Sequence, residues 1–322
     1  MTKRLFSRLV RRLSRSRQGV GSDHGPYLAD KDGCQIHLNR AVLCKLTGGL
    51  ANQMICYKFG RYVAQNYKRT LILDASWYSA QPDNSNRNLQ LTHFNIVFDL
   101  LTFSKPLVQS IEQSHNMTSL CGVEFHDFAN PETKNRVFQL LRDAEQLVVG
   151  DIFPALSIRF EADQFAKESG VLSDELTFNK EQVYSRQDSK LQQMIDSEAN
   201  SVAVHVRRGD FASHDGNILL TARYFNSSIA RLRNELLSPA FFIFSDDIEW
   251  CRATLKSRND LTFVDFNGER HGFKDMILAA SCKHFILSER STYSHQIVEL
   301  SQDHPGKIVI RSTDDDLQRN SV

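Results

Sequence analysis

The segment HVRRGD, residues 205–210, places a histidine, two arginines and an aspartate directly after an apolar run. In an extended strand, alternate side chains share a face, so His205 and Arg207 can share a site while Arg208 points to the other face. An arginine fork suits the oxygens of a phosphate group, and Asp210 could orient Arg207 or a loop backbone. The segment therefore favours phosphate chemistry, with a buried structural ion pair as the alternative.

A second apolar run, residues 241–245, ends in the carboxylates Asp246 and Asp247. Adjacent side chains of an extended chain diverge, so this pair is poorly suited to chelating one metal ion. The pair favours hydrogen bonds to a base or a ribose, or capping of the next helix by one of the aspartates.

Two further segments offer backbone N–H groups to an anion. In GGLANQ, residues 48–53, two glycines allow close backbone approach before a helix begins, which suits a pyrophosphate; a plain strand-to-helix turn is the alternative. Farther along, Asp275 lies in the first turn of an apolar helix, and Ser291 and Thr292 open the following helix. An ordinary capped helix is the alternative there.

The elements that position these segments are short apolar strands separated by helical patterns. A strand over 41–46, a helix over 52–65 and a strand over 70–75 form a βαβ unit. In the C-terminal half we predict five more strands: 201–206, 241–245, 261–266, 284–288 and 307–310. Runs without polar alternation indicate parallel sheets covered on both faces, so we expect an α/β fold with two Rossmann-like domains.

Composition excludes several classes of protein. Of the 322 residues, 41% are hydrophobic and 24% charged, and the net charge of +1 gives no field that would recruit nucleic acid. We find no apolar run long enough for a transmembrane segment and no signal peptide, so we expect a cytoplasmic chain with reduced cysteines. No cysteine or histidine spacing indicates a metal site, and we expect no cofactor.

The first twenty residues differ from the rest, because they carry seven basic side chains and no acidic one. If helical, residues 2–20 form a basic amphipathic segment suited to peripheral contact with an anionic membrane; a solvated tail is the alternative. We therefore divide the chain into a basic tail and linker over 1–40, an N-terminal Rossmann-like domain on the acceptor side over 41–185, and a C-terminal nucleotide-sugar-binding domain over 186–322.

In their order, these segments resemble the motifs of the α-1,2-fucosyltransferases. GGLANQMICYKFGRYVA is similar to that family's entry GGLGNQMFQYAFGRALA, and HVRRGDF to H-x-R-R-G-D-Y. FFIFSDDIEWCR resembles F-x-V-F-S-D-D-x-x-W, and DMILAASCKHFILSERSTYS resembles D-L-x-L-M-S-x-C-K-H-x-I-x-A-N-S-S/T-F-S. The resemblance covers about residues 42–310. It implies a GT-B fold, in which two Rossmann-like domains face each other across a cleft.

The resemblance also implies the activity: inverting transfer of L-fucose from GDP-fucose to a galactoside hydroxyl in surface glycan synthesis, without a metal. The acceptor would be an oligosaccharide or a lipid-linked glycan. The catalytic candidates are Arg207, which the resemblance places on the β-phosphate of GDP, its acidic partner Asp210, and His205, which shares a strand face with Arg207; no general base is assigned. The implied nucleotide contacts are Gly48, Gly49, Asn52, Arg207, Asp246, Asp247, Asp275 and Ser291, and Thr292 beside Ser291 is expected to join them.

The chain departs from the family pattern after Ser291. The family's Trp-Trp-Gly-Ala stretch is absent, Glu289-Arg290 stands for Ala-Asn, and Ala51 stands for a glycine. Two alternatives therefore stay open: a non-catalytic nucleotide-sugar-binding protein, and a transferase that uses another nucleotide-activated donor.

Overall fold

The computed structural model describes most of the chain beyond residue 40. The described residues are 27–29, 35–37, 40–79, 87–114, 117–121, 130–145, 147–208, 218–256, 258–313 and 316–319. The basic segment 2–20 lies outside them, so its predicted membrane contact is not addressed by the structure. No helix among the described residues has both the length and the apolar character needed to cross a membrane.

The chain divides into two compact units. The first comprises Met1–Leu46, Cys56–Ala80 and Val97–Ala162, and the second Thr47–Ile55, Gln81–Ile96 and Asp163–Val322. The segment after the first long strand is therefore grouped with the C-terminal half of the chain. The boundaries 41–185 and 186–322 stay predictions.

The first unit is built on a five-stranded parallel sheet of order β5-β4-β3-β7-β6, and it also holds an antiparallel pair, β1 with β2. The strands are β1 (Tyr27–Ala29), β2 (Gln35–His37), β3 (Ala41–Lys45), β4 (Thr70–Asp74), β5 (Leu100–Thr102), β6 (Met117–Ser119) and β7 (Leu147–Gly150). The helices up to residue 168 are α1 (Leu50–Asn66), α2 (Ser76–Ser79), α3 (Lys105–Ser114), α4 (Pro131–Asp143), α5 (Ile152–Ser157) and α6 (Arg159–Glu168). The predicted βαβ unit is confirmed in β3, α1 and β4.

Close packing of α1 on this sheet depends on a glycine. A Cβ atom at Gly60 would lie 2.7 Å from the sulfur of Cys44 and 2.8 Å from a methyl carbon of Leu71. A glycine inside a helix weakens that helix by roughly 0.5–1 kcal/mol relative to alanine. Here the missing side chain allows the helix to approach β3 and β4 directly, and this fixes the strand-to-helix geometry.

The second unit holds another five-stranded parallel sheet, of order β11-β10-β8-β12-β13, and a short antiparallel pair, β9 with β14. The strands are β8 (Ser201–Val206), β9 (Ile218–Leu220), β10 (Ala240–Ser245), β11 (Leu261–Val264), β12 (His284–Leu287), β13 (Val309–Arg311) and β14 (Leu317–Arg319). The helices are α7 (Lys180–Val183), α8 (Arg186–Ser197), α9 (Ala222–Glu235), α10 (Ile248–Thr254), α11 (Gly272–Ala280) and α12 (Thr292–Leu300). Short 3-10 turns lie at Leu91–His93 and Glu269–His271, and a π-helical turn at Val171–Glu175.

The central strand of this sheet, β8, is buried over all six residues. Its apolar side chains on one face pack with those of α9, β10 and β12 into one core. Burial on both faces explains the absence of polar alternation, so the predicted parallel sheets are confirmed. Among the described residues, Cys44, Cys56, Cys121, Cys251 and Cys282 are free thiols.

Candidate functional site

The site is built at one edge of the second unit's sheet. Strands β10, β8 and β12 are neighbours and run parallel, so the residues that follow them emerge together at their carboxyl ends. Arg207 follows β8, Asp246 follows β10, and the turn leading to Ser291 follows β12. Ligands of open α/β sheets bind outside this edge, which makes it the candidate nucleotide site.

Arg207 and Asp246 meet directly at this edge. The Nη1 atom of Arg207 lies 2.7 Å from Oδ2 of Asp246, whose side chain is only 12% exposed. The other carboxylate oxygen of Asp246 accepts a hydrogen bond of 2.8 Å from the backbone N–H of Arg208. Asp246 thus fixes both the guanidinium of Arg207 and the turn that carries it.

Asp247 turns away from Asp246. One oxygen accepts a hydrogen bond from the backbone N–H of Trp250 at 3.2 Å, and this caps helix α10. The other accepts from Nε of Arg208 at 3.1 Å, while the guanidinium of Arg208 lies 4.0 Å from the centre of the Trp250 ring. The predicted divergence of the two aspartates and the capping role of one of them are confirmed.

His205 lies beneath the surface of the site. Its Nδ1 atom is 2.7 Å from Oγ of Ser294, and its ring stacks on Tyr293 with centroids 4.9 Å apart. Burial, aided by the positive charge of Arg207, lowers the pKa of His205 to about 3. The imidazole is therefore neutral at physiological pH, and its contacts hold the start of α12 against the end of β8.

Asn52 joins the glycine segment, residues 48–53, to the turn that follows β12. Thr292 donates a hydrogen bond of 3.2 Å from its hydroxyl to Oδ1 of Asn52, and Ser291 caps α12 by accepting from the N–H of Ser294 at 3.4 Å. Gly48 has φ of +73°, and a Cβ atom there would lie 2.9 Å from Nδ2 of Asn52. Glycine is thus required at position 48 for both backbone conformation and close approach.

The sequence reasoning missed Gln53, which holds the glycine segment in place. The side chain is fully buried, and its Nε2 atom donates to the carbonyls of Gly48 at 3.3 Å and Asn88 at 2.9 Å. Its Oε1 atom accepts from the backbone N–H groups of Gln90 and Leu91, each at 3.0 Å. The only signal available was the presence of Gln53 in the motif itself, since its partners lie far along the chain.

Gln90 continues this network to helix α11. Its Oε1 atom accepts from the backbone N–H of Phe273 at 3.0 Å, and the ring of His93 stacks on Phe273 with centroids 4.0 Å apart. The hydroxyl of Tyr293 donates to the carbonyl of Gly272 at 2.5 Å. The first turn of α11 is therefore bound both to the segment behind the glycines and to the turn after β12.

Asp275, in that first turn, has an unusual environment. Its Oδ1 atom accepts a hydrogen bond of 2.8 Å from Nδ2 of Asn267. Burial and the nearby negative charge of Asp188 raise its pKa to about 7, although Asn267 and Lys274 oppose the rise. Asp275 therefore changes between a neutral acid and a carboxylate near physiological pH.

In the second unit, the structure places most of the predicted site residues in two contact groups. Arg207 and Arg208 bind Asp246 and Asp247 in one group, and the other joins Gly48, Asn52, Thr292, Ser291 and His205. Asp275 joins them through α11. Asp210 lies outside the described residues, so its predicted role beside Arg207 stays a prediction. In the part of the chain that the structure describes, no three His, Cys, Asp or Glu side chains group as metal ligands.

Residues 162–320 match the family model described as glycosyl transferase family 11. The chain is 27% identical over 281 residues to an alpha-1,2-colitosyltransferase of Escherichia coli, with 78% of this chain and 84% of the relative covered. It is 26% identical to the O-antigen biosynthesis glycosyltransferase WbnK of Escherichia coli, with 77% and 86% covered. A shorter match, 32% over 92 residues, covers 27% of this chain and 25% of the galactoside 2-alpha-L-fucosyltransferase Sec1 of Mus musculus.

Among solved structures, the fold is similar to that of the fucosyltransferase NodZ from Bradyrhizobium. The TM-score is 0.55 at 17% sequence identity, and the match covers 82% of this chain and 92% of that one. At this identity the likeness concerns the fold alone, and it agrees with the α/β architecture and parallel sheets described above.

Proposed function

Through residues 162–320 the chain belongs to glycosyl transferase family 11, and on this premise we propose that it transfers L-fucose from GDP-fucose to a galactoside hydroxyl. The chain is a glycosyltransferase. The proposed linkage is α-1,2, and the acceptor is an oligosaccharide or lipid-linked glycan of a surface polysaccharide. The names of the relatives support the linkage and the glycan class.

The observation that carries the proposal is the convergence of an arginine, a glycine turn and a helix start in one unit. Arg207 is held by Asp246, and the glycine turn is joined to the start of α12 by the Asn52–Thr292 hydrogen bond. A guanidinium, close backbone N–H groups and a helix N-terminus are the groups that proteins use for phosphate oxygens. A nucleoside diphosphate therefore suits this edge of the sheet.

In the proposed reaction, the acceptor hydroxyl oxygen attacks C1 of fucose as the bond from C1 to the β-phosphate oxygen breaks, and the hydroxyl proton is lost to solvent. The electron pair of that bond leaves with GDP, so negative charge grows on the β-phosphate. Arg207 and the N–H groups of the 48–52 segment stabilise this charge, which makes a metal ion unnecessary. Attack opposite the leaving group inverts the β-linked donor to an α-fucoside.

The remaining site residues act around this step. We assign His205 a positioning role rather than proton transfer, because burial lowers its pKa to about 3, which makes the imidazole a weak base, and because Ser294 and Tyr293 contact its ring. Asp275 contacts the nucleotide, as the resemblance implies, and Asp210 orients Arg207.

We propose a GT-B architecture, with the donor on the C-terminal Rossmann-like domain and the acceptor on the N-terminal one. We place the chain in the cytoplasm, in peripheral contact with an anionic membrane through residues 2–20. The seven basic side chains of that segment support this placement.

A second candidate differs only in the donor. The alpha-1,2-colitosyltransferase matches 78% of this chain, whereas the galactoside fucosyltransferase Sec1 matches 27%. A colitosyl donor is therefore the specific alternative to a fucosyl donor at the same nucleotide site.

Donor choice is tested by incubating the full chain with GDP-fucose or the colitosyl donor and a panel of galactosides, with products read by mass spectrometry. Transfer of fucose to a galactoside is the expected result. Faster transfer of colitose would establish the alternative donor. GDP binding without transfer to any acceptor would contradict the proposed activity and leave a nucleotide-sugar-binding protein.

A further inference from the structure

Asn267 and Asp188, which have no role in the proposed reaction, form a hydrogen-bonded group with Asp275. The Nδ2 atom of Asn267 donates to two carboxylates at once, to Asp275 at 2.8 Å and to Asp188 at 2.7 Å. Asn267 follows strand β11, whereas Asp188 belongs to the first turn of α8 and Asp275 to the first turn of α11. One side-chain amide thus joins three separate elements at the same edge of the sheet.

Asp188 is a fixed hydrogen-bond acceptor for the amide of Asn267. The side chain of Asp188 is fully buried, and its second oxygen accepts from the backbone N–H of Ser185 at 2.7 Å and from Nζ of Lys274 at 3.0 Å. The hydrogen bonds from Asn267, Ser185 and Lys274 hold the pKa of Asp188 below its usual value. Asp188 is therefore ionised at neutral pH, and the amide of Asn267 must present its nitrogen to it.

The orientation of Asn267 then dictates that of Asp275. With Nδ2 directed at Asp188, the same nitrogen reaches Oδ1 of Asp275 and fixes one oxygen of that carboxyl group. A donor amide also favours the ionised form of Asp275, against burial and the charge of Asp188. Besides Asp188, the titratable side chains in electrostatic contact with Asp275 are Tyr184, Lys274 and Tyr293.

We propose that Asn267, anchored by Asp188, is a positioning residue that holds the carboxylate of Asp275 for the donor groups of the bound nucleoside diphosphate. This inference rests on the proposed function, because it assumes that a nucleotide occupies this edge. Asn267 itself makes no contact with the nucleotide in this scheme. Its effect on nucleotide binding passes through Asp275, and that separates it from a residue needed only for folding.

The test is GDP binding by the full chain, measured by isothermal titration calorimetry between pH 6 and 8.5. Asn267→Ala should weaken GDP binding at pH 7.5 by about tenfold, the usual effect of losing one hydrogen bond to a charged group. It should also move the pH below which affinity declines to a higher value, because Asp275 loses the donor that favours its ionised form.

A double-mutant cycle separates positioning from folding. If Asn267 acts through Asp275, Asn267→Ala should leave GDP affinity unchanged in a chain that already carries Asp275→Asn. Asn267→Asp keeps the shape of the side chain but replaces the donor by an acceptor, so it should bind GDP no better than the alanine variant. Asn200→Ala is the matched control, since Asn200 donates to the carbonyl of Leu237 at 2.7 Å beside the amino end of β8. It should leave GDP affinity unchanged.

Two results would overturn the inference while leaving the proposed function intact. One is unchanged GDP affinity and pH dependence in Asn267→Ala, and the other is an equal loss of affinity with and without Asp275→Asn. Failure of the wild-type chain to bind GDP would overturn the proposed function and this inference together.

Discussion

Replacing Asp275 by asparagine should stabilise the protein in neutral and alkaline solution. The carboxyl group is half-buried near Asp188, and its pKa is raised to about 7 in the folded chain. Asparagine keeps the oxygen that accepts from Asn267 and removes the charge. The folded state then avoids an ionisation that its surroundings oppose.

The size of the effect follows from the pKa. An increase from 3.8 to about 7 corresponds, at roughly 1.4 kcal/mol per pH unit, to about 4 kcal/mol at full ionisation. Between these two values the folded wild-type chain binds more protons than the unfolded chain, so its stability falls as pH rises and levels off above about 7. Integrated over pH 5 to 8, the advantage of Asp275→Asn should grow by about 2–3 kcal/mol.

The assay is urea denaturation of both chains at pH 5, 6, 7 and 8, with the free energy of unfolding taken at each pH. Asp303→Asn provides the control, because Asp303 is exposed and its pKa is lowered by its contacts with Lys167 and Lys307. That carboxyl group is ionised throughout this pH range, so its replacement should give no rising advantage. A difference between wild type and Asp275→Asn that stays constant or shrinks with rising pH would show that the pKa of Asp275 is not raised in the folded chain.

Further predictions concern the transfer reaction, the glycine segment and the tail. Arg207→Ala should lower kcat/KM by about 10²–10³. Arg207→Lys should not restore it, because the ammonium group of lysine cannot make the paired hydrogen bonds of a guanidinium. Near-normal turnover of either variant in steady-state assays would contradict the assigned role. Gln53→Leu should lower the free energy of unfolding by about 2–5 kcal/mol, since four backbone groups lose their partner; a smaller loss in urea denaturation would show that water replaces the amide. Transfer should persist in excess EDTA, because Asp246 and Asp247 are each bound by an arginine; loss of activity that Mn²⁺ or Mg²⁺ restores would show otherwise. The full-length chain should bind anionic liposomes, and this binding should weaken as salt rises. Deleting residues 2–20 should abolish the binding and leave transfer to soluble acceptors intact. Equal sedimentation of the full-length and truncated chains with liposomes would favour a solvated tail.

The C-terminal sheet could be predicted from the sequence because its strands are uninterrupted apolar runs. The predicted strand over 201–206 coincides with β8, and the other strand ends shift by one or two residues where the chain turns. The meeting of Arg207 and Asp246 was also predictable, since the carboxyl ends of neighbouring parallel strands converge. The strands within residues 80–145 could not be predicted in the same way, because β5 and β6 have only three residues each.

The amide network could not be predicted, because its contacts join residues distant in sequence. Gln90 and Phe273 are separated by 183 positions, and Asn267 and Asp188 by 79. A glutamine or asparagine in a loop or a helix normally indicates a solvated surface, and periodicity carries no information on its partners. The burial of His205 could not be predicted for a similar reason. The strand pattern indicates which face of the strand His205 lies on, whereas its contacts with Tyr293 and Ser294 come from another element.

The ion pair between Arg207 and Asp246 has a consequence for turnover. In the proposed reaction, the carboxylate of Asp246 competes with the departing diphosphate for the positive charge of the guanidinium, from which it lies 2.7 Å. Both groups then bind the guanidinium at once, so the GDP product is held less tightly than an unpaired arginine would hold it. Asp246→Asn should therefore bind GDP more strongly and release it more slowly, which makes product dissociation the slow step of the cycle.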